Sequence, residues 1–151
     1  MNIRIAVIAI IYLNVGTNGA VAQDVTTASD FIHLQVDEME YRPVSAFPGL
    51  EFAILAGDPG EPGQYVIRAK FGPGLTAPPH YHDQDRFVSV ISGVWAFGMG
   101  ESGECAGTIP LRAGAFAMHP KGAVHYDGSC NDEEVVVQIS GIGPVQTHWL
   151  E

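Results

Sequence analysis

Glycine and proline interrupt this chain so often that no long element can form: 18 Gly and 10 Pro fall among 151 residues. They gather as breakers at Gly57-Asp58-Pro59-Gly60, Gly72-Pro73-Gly74, Ser92-Gly93, Gly100 to Gly103 and Pro120-Lys121-Gly122. Each provides backbone suited to a tight turn. Between them lie short segments that partly alternate apolar with polar residues: Leu50 to Ala56, Gln64 to Phe71, Arg86 to Ile91, Val94 to Met99, Gly114 to Met118, Ala123 to Tyr126 and Glu134 to Ile139. A period of two belongs to half-buried strands. No long stretch carries a 3.6-residue period, and only short helical turns near Ser29 to Phe31 or Asp37 to Tyr41 fit the pattern. The expected fold is all-β, a sandwich or closed barrel whose closure removes exposed sheet edges.

Residues Met1 to Ala22 read as a secretory signal peptide. Arg4 gives a thin positive start, Ile5 to Val15 is apolar apart from Tyr12 and Asn14, and Ala20-Val21-Ala22 supplies the small-x-small cleavage pattern. The apolar run is shorter than the roughly 20 residues that span a bilayer, so a transmembrane anchor fits less well. Cleavage would leave residues 23–151 as a single domain, exported to a periplasmic or extracellular compartment, with no membrane association in the mature form. That domain keeps 6 Lys and Arg against 17 Asp and Glu, a net charge of −11 once Arg4 has gone. Such a balance repels nucleic acid, and no basic patch with interleaved aromatics opposes it. Cys105 and Cys130 both sit in loop-like sequence, and an oxidising compartment favours a disulfide between them.

The chemistry lies in the middle of the chain. His80 and His82 are two apart after Pro78-Pro79. On a strand, residues i and i+2 share one face, so both imidazoles converge while Tyr81 turns away. Two neutral imidazoles make half a site for a borderline divalent metal, although a His-x-His pair alone fits two surface histidines equally well. A second element adds weight: Pro120-Lys121-Gly122 reads as a turn, and His125 lies just into the return strand.

Together, Gly74-x5-His80-x-His82-x3-Arg86-x6-Gly93 and Gly114-x5-Pro120-x-Gly122-x2-His125 resemble the two cupin motifs, 20 residues apart. The resemblance covers roughly Gly63 to Gly143 and implies a cupin jelly-roll barrel. It implies metal ligation by His80, His82 and His125, with iron, manganese, zinc or nickel as the cofactor, and it leaves a homodimer open. Two positions depart from the family pattern. Arg86 stands where the first motif normally has a glutamate ligand, and Ser129 stands where the second usually closes with Asn. Losing that glutamate leaves a three-histidine set, as in the thiol and diketone dioxygenase branches. Arg86 can only donate, and its fixed charge opposes a dication unless an anion compensates.

Three readings of Arg86 stay open: a clamp for a substrate carboxylate, a structural pair with Asp83 or Asp85, or the mark of a cupin that has lost its metal. Asp83 and Asp85 themselves read most simply as solvent-facing turn residues. His119, just before the turn, is expected to be an exposed or satisfied strand-end histidine, or else to line the pocket rim. His33 and His148 are expected to be structural. Phe71, Phe87, Val88, Val90, Trp95, Phe97, Phe116 and Met118 are expected to be mainly core, with a few lining the barrel mouth, and Tyr126 to face away from the histidines. No phosphate-binding glycine loop or Gly-x-Ser-x-Gly elbow is present. The function is expected among three classes: a metal-dependent enzyme of dioxygenase, isomerase or lyase type acting on a small, anionic molecule; a non-catalytic module binding such a ligand; or a metal-free structural cupin.

Overall fold

The computed structural model describes residues 31–45 and 47–150, so the expected leader lies outside the described residues. Residues from Ile32 onward form one compact unit of two antiparallel sheets. The helical elements among the described residues are two 3-10 turns, one at Val36–Glu38, closed by reciprocal bonds between Gln35 and Glu38, and one at Cys105–Gly107. No helix among the described residues is long and apolar enough to cross a membrane.

Among the described residues, eleven strands follow in order. The first sheet holds β1 (Arg42–Pro43), β2 (Leu50–Ala56), β3 (Gly63–Phe71), β10 (Val135–Gly143), β5 (Arg86–Ser92) and β8 (Phe116–His119), hydrogen-bonded in that sequence. The second holds β11 (Thr147–Trp149), β4 (Thr76–His82), β9 (His125–Gly128), β6 (Val94–Met99) and β7 (Ile109–Arg112). The alternating segments are strands, as expected, and the two sheets make the jelly-roll barrel that the cupin resemblance implies. Inward residues such as Ile67, Val88, Val135, Val137 and Trp95 fill one cluster between them.

Turn chemistry sets where strands stop. Gly93, between β5 and β6, has φ +75°, and a side chain there would collide with the Glu134 carbonyl. β4 is interrupted differently: its pairing with β9 slips between Ala77 and His80. Pro78 and Pro79 have no N–H to donate, so the irregularity falls where they lie.

The large apolar residues of β5 and β8 correct one expectation. Phe87, Phe116 and Met118 are exposed, at 43%, 62% and 38%. Their strands pair Phe87 with Met118 and Ser89 with Phe116 on the outer face. The inward places go to Val88, Ala117, Arg86 and His119 instead. Phe71, Val88, Val90 and Trp95 are buried as expected, and Phe97 packs half-buried against them.

Candidate metal centre

Strand register assembles the site. His80 on β4 is paired with His125 on β9. His82 is paired with Thr147 on β11, and Arg86 on β5 with His119 on β8. Alternation then turns His80, His82, Arg86, His119, His125 and Asp127 into the interior, where each is buried. His80, His82, Arg86, His119 and Asp127 line a cavity of about 570 Å³ whose remaining wall is largely apolar, with Phe47, Phe52, Val137 and Trp149 on it. His125 adjoins it, its ring centroid 4.3 Å from that of His80.

The backbone fixes two of the tautomers. His80 Nδ1 donates to the Pro78 carbonyl at 2.7 Å, and His125 Nδ1 donates to the Ala123 carbonyl at 2.9 Å. Each therefore keeps a bare Nε2, the arrangement metal-ligating histidines commonly show. His80, His82 and His125 each place a ring nitrogen within 4.8 Å of the others, so the set fits a metal ion. Burial lowers the pKa of all three, that of His125 to about 4, and the charge of Arg86 lowers them further. They stay neutral, which is the state a metal requires.

Arg86 works against that fit at His82. Its Nη1 lies 2.9 Å from His82 Nε2 and 3.5 Å from Nδ1. A guanidinium only donates, so the His82 Nε2 lone pair is turned to Arg86, while His82 Nδ1 meets Thr147 Oγ1 at 3.2 Å. The expected alternative of a pair with Asp83 or Asp85 does not occur. Asp83 Oδ1 accepts the Gln146 amide, and Asp85 Oδ1 accepts the Lys121 amide, both at 2.7 Å. Arg86 is 9% exposed, and no carboxylate among the described residues lies within ion-pair distance of it.

His119 is a second correction. It is 4% exposed rather than at the rim, and neither ring nitrogen has a hydrogen-bond partner among the described residues. Its ring lies 3.7 Å from that of His125, centroid to centroid. Asp127 was not anticipated at all. Its Oδ2 sits 3.9 Å from the Nε2 of both His119 and His125, and burial, opposed by the Arg86 charge, pushes its carboxyl up to about 7. Asp127 lies two residues past His125, the same spacing that marks His80 and His82. The following glycine disguised it as a turn.

The remaining candidates lie elsewhere. Cys105 and Cys130 form a disulfide with Cα atoms 5.8 Å apart, which ties the β6–β7 loop to the end of β9. Tyr126 faces away from the cavity and is buried beneath Gly98 and Gly107, where a side chain would meet its ring or hydroxyl. Ser129, in the place of the family's Asn, is fully buried and donates to the Glu133 carbonyl at 2.6 Å. His148 stacks on Tyr81 outside the site, and His33 is exposed.

The ChrR cupin-like domain family matches residues 29–145. Among curated proteins, none matches the chain. Three solved structures show the same fold. The polyketide cyclase RemF from Streptomyces resistomycificus is 16% identical with a TM-score of 0.65, over 80% of this chain and 87% of that one. A cupin-superfamily sugar phosphate isomerase from Silicibacter pomeroyi is 22% identical with a TM-score of 0.63, over 79% and 82%. A cupin-like protein from Thermotoga maritima is 24% identical with a TM-score of 0.61, over 77% and 88%.

Proposed function

Because this chain belongs to the ChrR cupin-like domain family, we propose that it binds one divalent transition metal through His80, His82 and His125 and acts on a small anionic molecule held against Arg86. The observation that carries the reading is a cluster of three buried imidazoles, two of them set by the backbone, beside a buried guanidinium that has no carboxylate partner among the described residues. A buried arginine nearly always finds an anion, and the apolar wall of the cavity suits a carboxylate with a short hydrocarbon body.

The residues divide the work. His80 and His125 present Nε2 toward the centre because Pro78 and Ala123 hold their other nitrogens. Arg86 clamps the anionic end of the ligand, and in turning to it releases His82 Nε2 to complete the set. Thr147 then orients His82 through Nδ1. Trp149, Phe47 and Phe52 exclude water from the apolar end. When bound, the metal supplies Lewis-acid polarisation of a ligand oxygen. The fold neighbours include a cyclase and an isomerase by name, so the fold itself selects no single reaction. Export of the mature domain belongs to the same proposal: the disulfide is compatible with an oxidising compartment.

Metal analysis of the full-length protein purified without chelator tests the reading. About one equivalent of a transition metal, native or after reloading, is expected, because three imidazoles bind such ions well. Less than about a tenth of an equivalent under both conditions would sink the metal and leave a ligand-binding cupin. Arg86→Lys, which keeps the charge and loses the planar fork, should weaken binding of a carboxylate probe several-fold.

A further inference from the structure

The inner faces of β8 and β9 carry a second set of donors. His119, His125 and Asp127 are 4%, 2% and 6% exposed, and their ligand atoms fall within 4.8 Å of one another. His119 Nε2 and His125 Nε2 each stand 3.9 Å from Asp127 Oδ2. Ions with bonds of 2.0–2.2 Å and tetrahedral angles separate their donors by about 3.4 Å, so each gap closes with a shift of about half an ångström. Both ring nitrogens of His119, and Nε2 of His125, lack a hydrogen-bond partner among the described residues. Leaving three such atoms unsatisfied in a buried cluster is costly, and a ligand at their focus removes the cost.

The two donor sets cannot be filled at once. Nδ1 of His125 is committed to Ala123, so its single free nitrogen serves one ion. The sets differ in charge and in readiness. The set of His80, His82 and His125 offers three neutral ligands beside a fixed cation and requires Arg86 to leave His82 Nε2. The set of His119, His125 and Asp127 requires no such displacement and contributes a carboxylate, which offsets part of the charge of the ion and of Arg86. Asp127 thus supplies the negative ligand absent at position 86.

We infer that His119, His125 and Asp127 form a second seat for the metal, occupied while Arg86 remains closed on His82. The inference rests on the metal binding proposed above and names which of the residues hold the ion before an anionic ligand arrives. The step needs no redox partner: where Asp127 is protonated, its carboxyl releases a proton to solvent and the resulting carboxylate takes the ion in its place.

Zinc titration of the full-length protein in anion-poor buffer, followed by histidine side-chain nitrogen NMR, reads ligation ring by ring on the unaltered chain. Signals of His119 and His125 are expected to move to ligated positions while His82 does not. In parallel, Asp127→Asn and His119→Gln should each weaken zinc affinity at least tenfold, and His82→Gln less than threefold. Movement of His80 and His82 without His119, with Asp127→Asn within twofold of wild type, would overturn the second seat and leave the three-histidine reading standing. Absence of zinc binding by the wild type would overturn both.

Discussion

The two faces of β9 are built to opposite specifications. Outward, Tyr126 is 1% exposed, wedged beneath Gly98 and Gly107, with the Cys105–Cys130 disulfide holding the loop that covers it. Inward, on the residues either side, His125 and Asp127 are buried beside the unpaired ring nitrogens of His119, and Asp127 lines the same cavity as Arg86. One strand thus carries a tightly packed face that fixes its position and a polar face that is poorly satisfied without a ligand. The difference suggests a division of labour: the outer packing supplies the stability against which the inner charges are held.

If that division is right, damage to the outer face should cost stability and spare the site. Tyr126→Ala removes a fully buried ring, and an aromatic truncation in a core costs about 3–5 kcal/mol. Urea unfolding measures it, and metal affinity of the remaining folded protein should stay within about twofold. A parallel loss of affinity would mean that the faces are coupled. Replacing both Cys105 and Cys130 by Ser opens a loop with a sequence separation of 25 and should cost about 2–4 kcal/mol, again without moving affinity.

A change in the cavity that the inner face borders should do the reverse, moving metal affinity rather than stability. Arg86→Glu removes the donor that engages His82 Nε2 and restores a carboxylate at the position where the family places one. Metal affinity should rise at least tenfold, about 1.4 kcal/mol. Isothermal titration calorimetry checks it, and an unchanged affinity would show that Arg86 does not govern the ion.

How far the sequence reveals this depends on which face a residue occupies. The turn glycines, the alternation of β3, and the His80–His82 pair are legible because local rules determine them. β8 is not. Its large residues, Phe116 and Met118, point outward, and its inward positions hold Ala117 and His119, so a reading by hydrophobicity inverts the strand. Asp127 was hidden because Asp-Gly resembles a turn, yet β9 runs through to Gly128. β7 and β11 escape for another reason: both are short, and β11 pairs with β4, far away in sequence. The partner of Arg86 could not be read locally either. It depends on Asp83 and Asp85 being taken by backbone amides of Gln146 and Lys121.

The comparison also makes a prediction about acid. Burial lowers the pKa of His80, His82, His119 and His125 in the folded protein, so the unfolded chain binds protons that the metal-free folded state refuses. Stability from these groups is complete above the ordinary imidazole value of about 6.5 and is lost as pH falls below it. Asp127 acts oppositely, because its raised carboxyl holds a proton that the unfolded chain releases between pH 3.8 and about 7. One carboxyl against four imidazoles leaves the net slope with the histidines. Thermal or urea unfolding of the metal-free protein should therefore show falling stability from pH 6.5 to 5.5. His119→Gln should flatten that fall by about 1 kcal/mol, since one proton over one pH unit is worth about 1.4 kcal/mol and the titration is partial at the start. Tyr126→Phe, on the outer face, should leave the slope as it is. Equal slopes in wild type and His119→Gln would show that His119 carries none of the acid sensitivity.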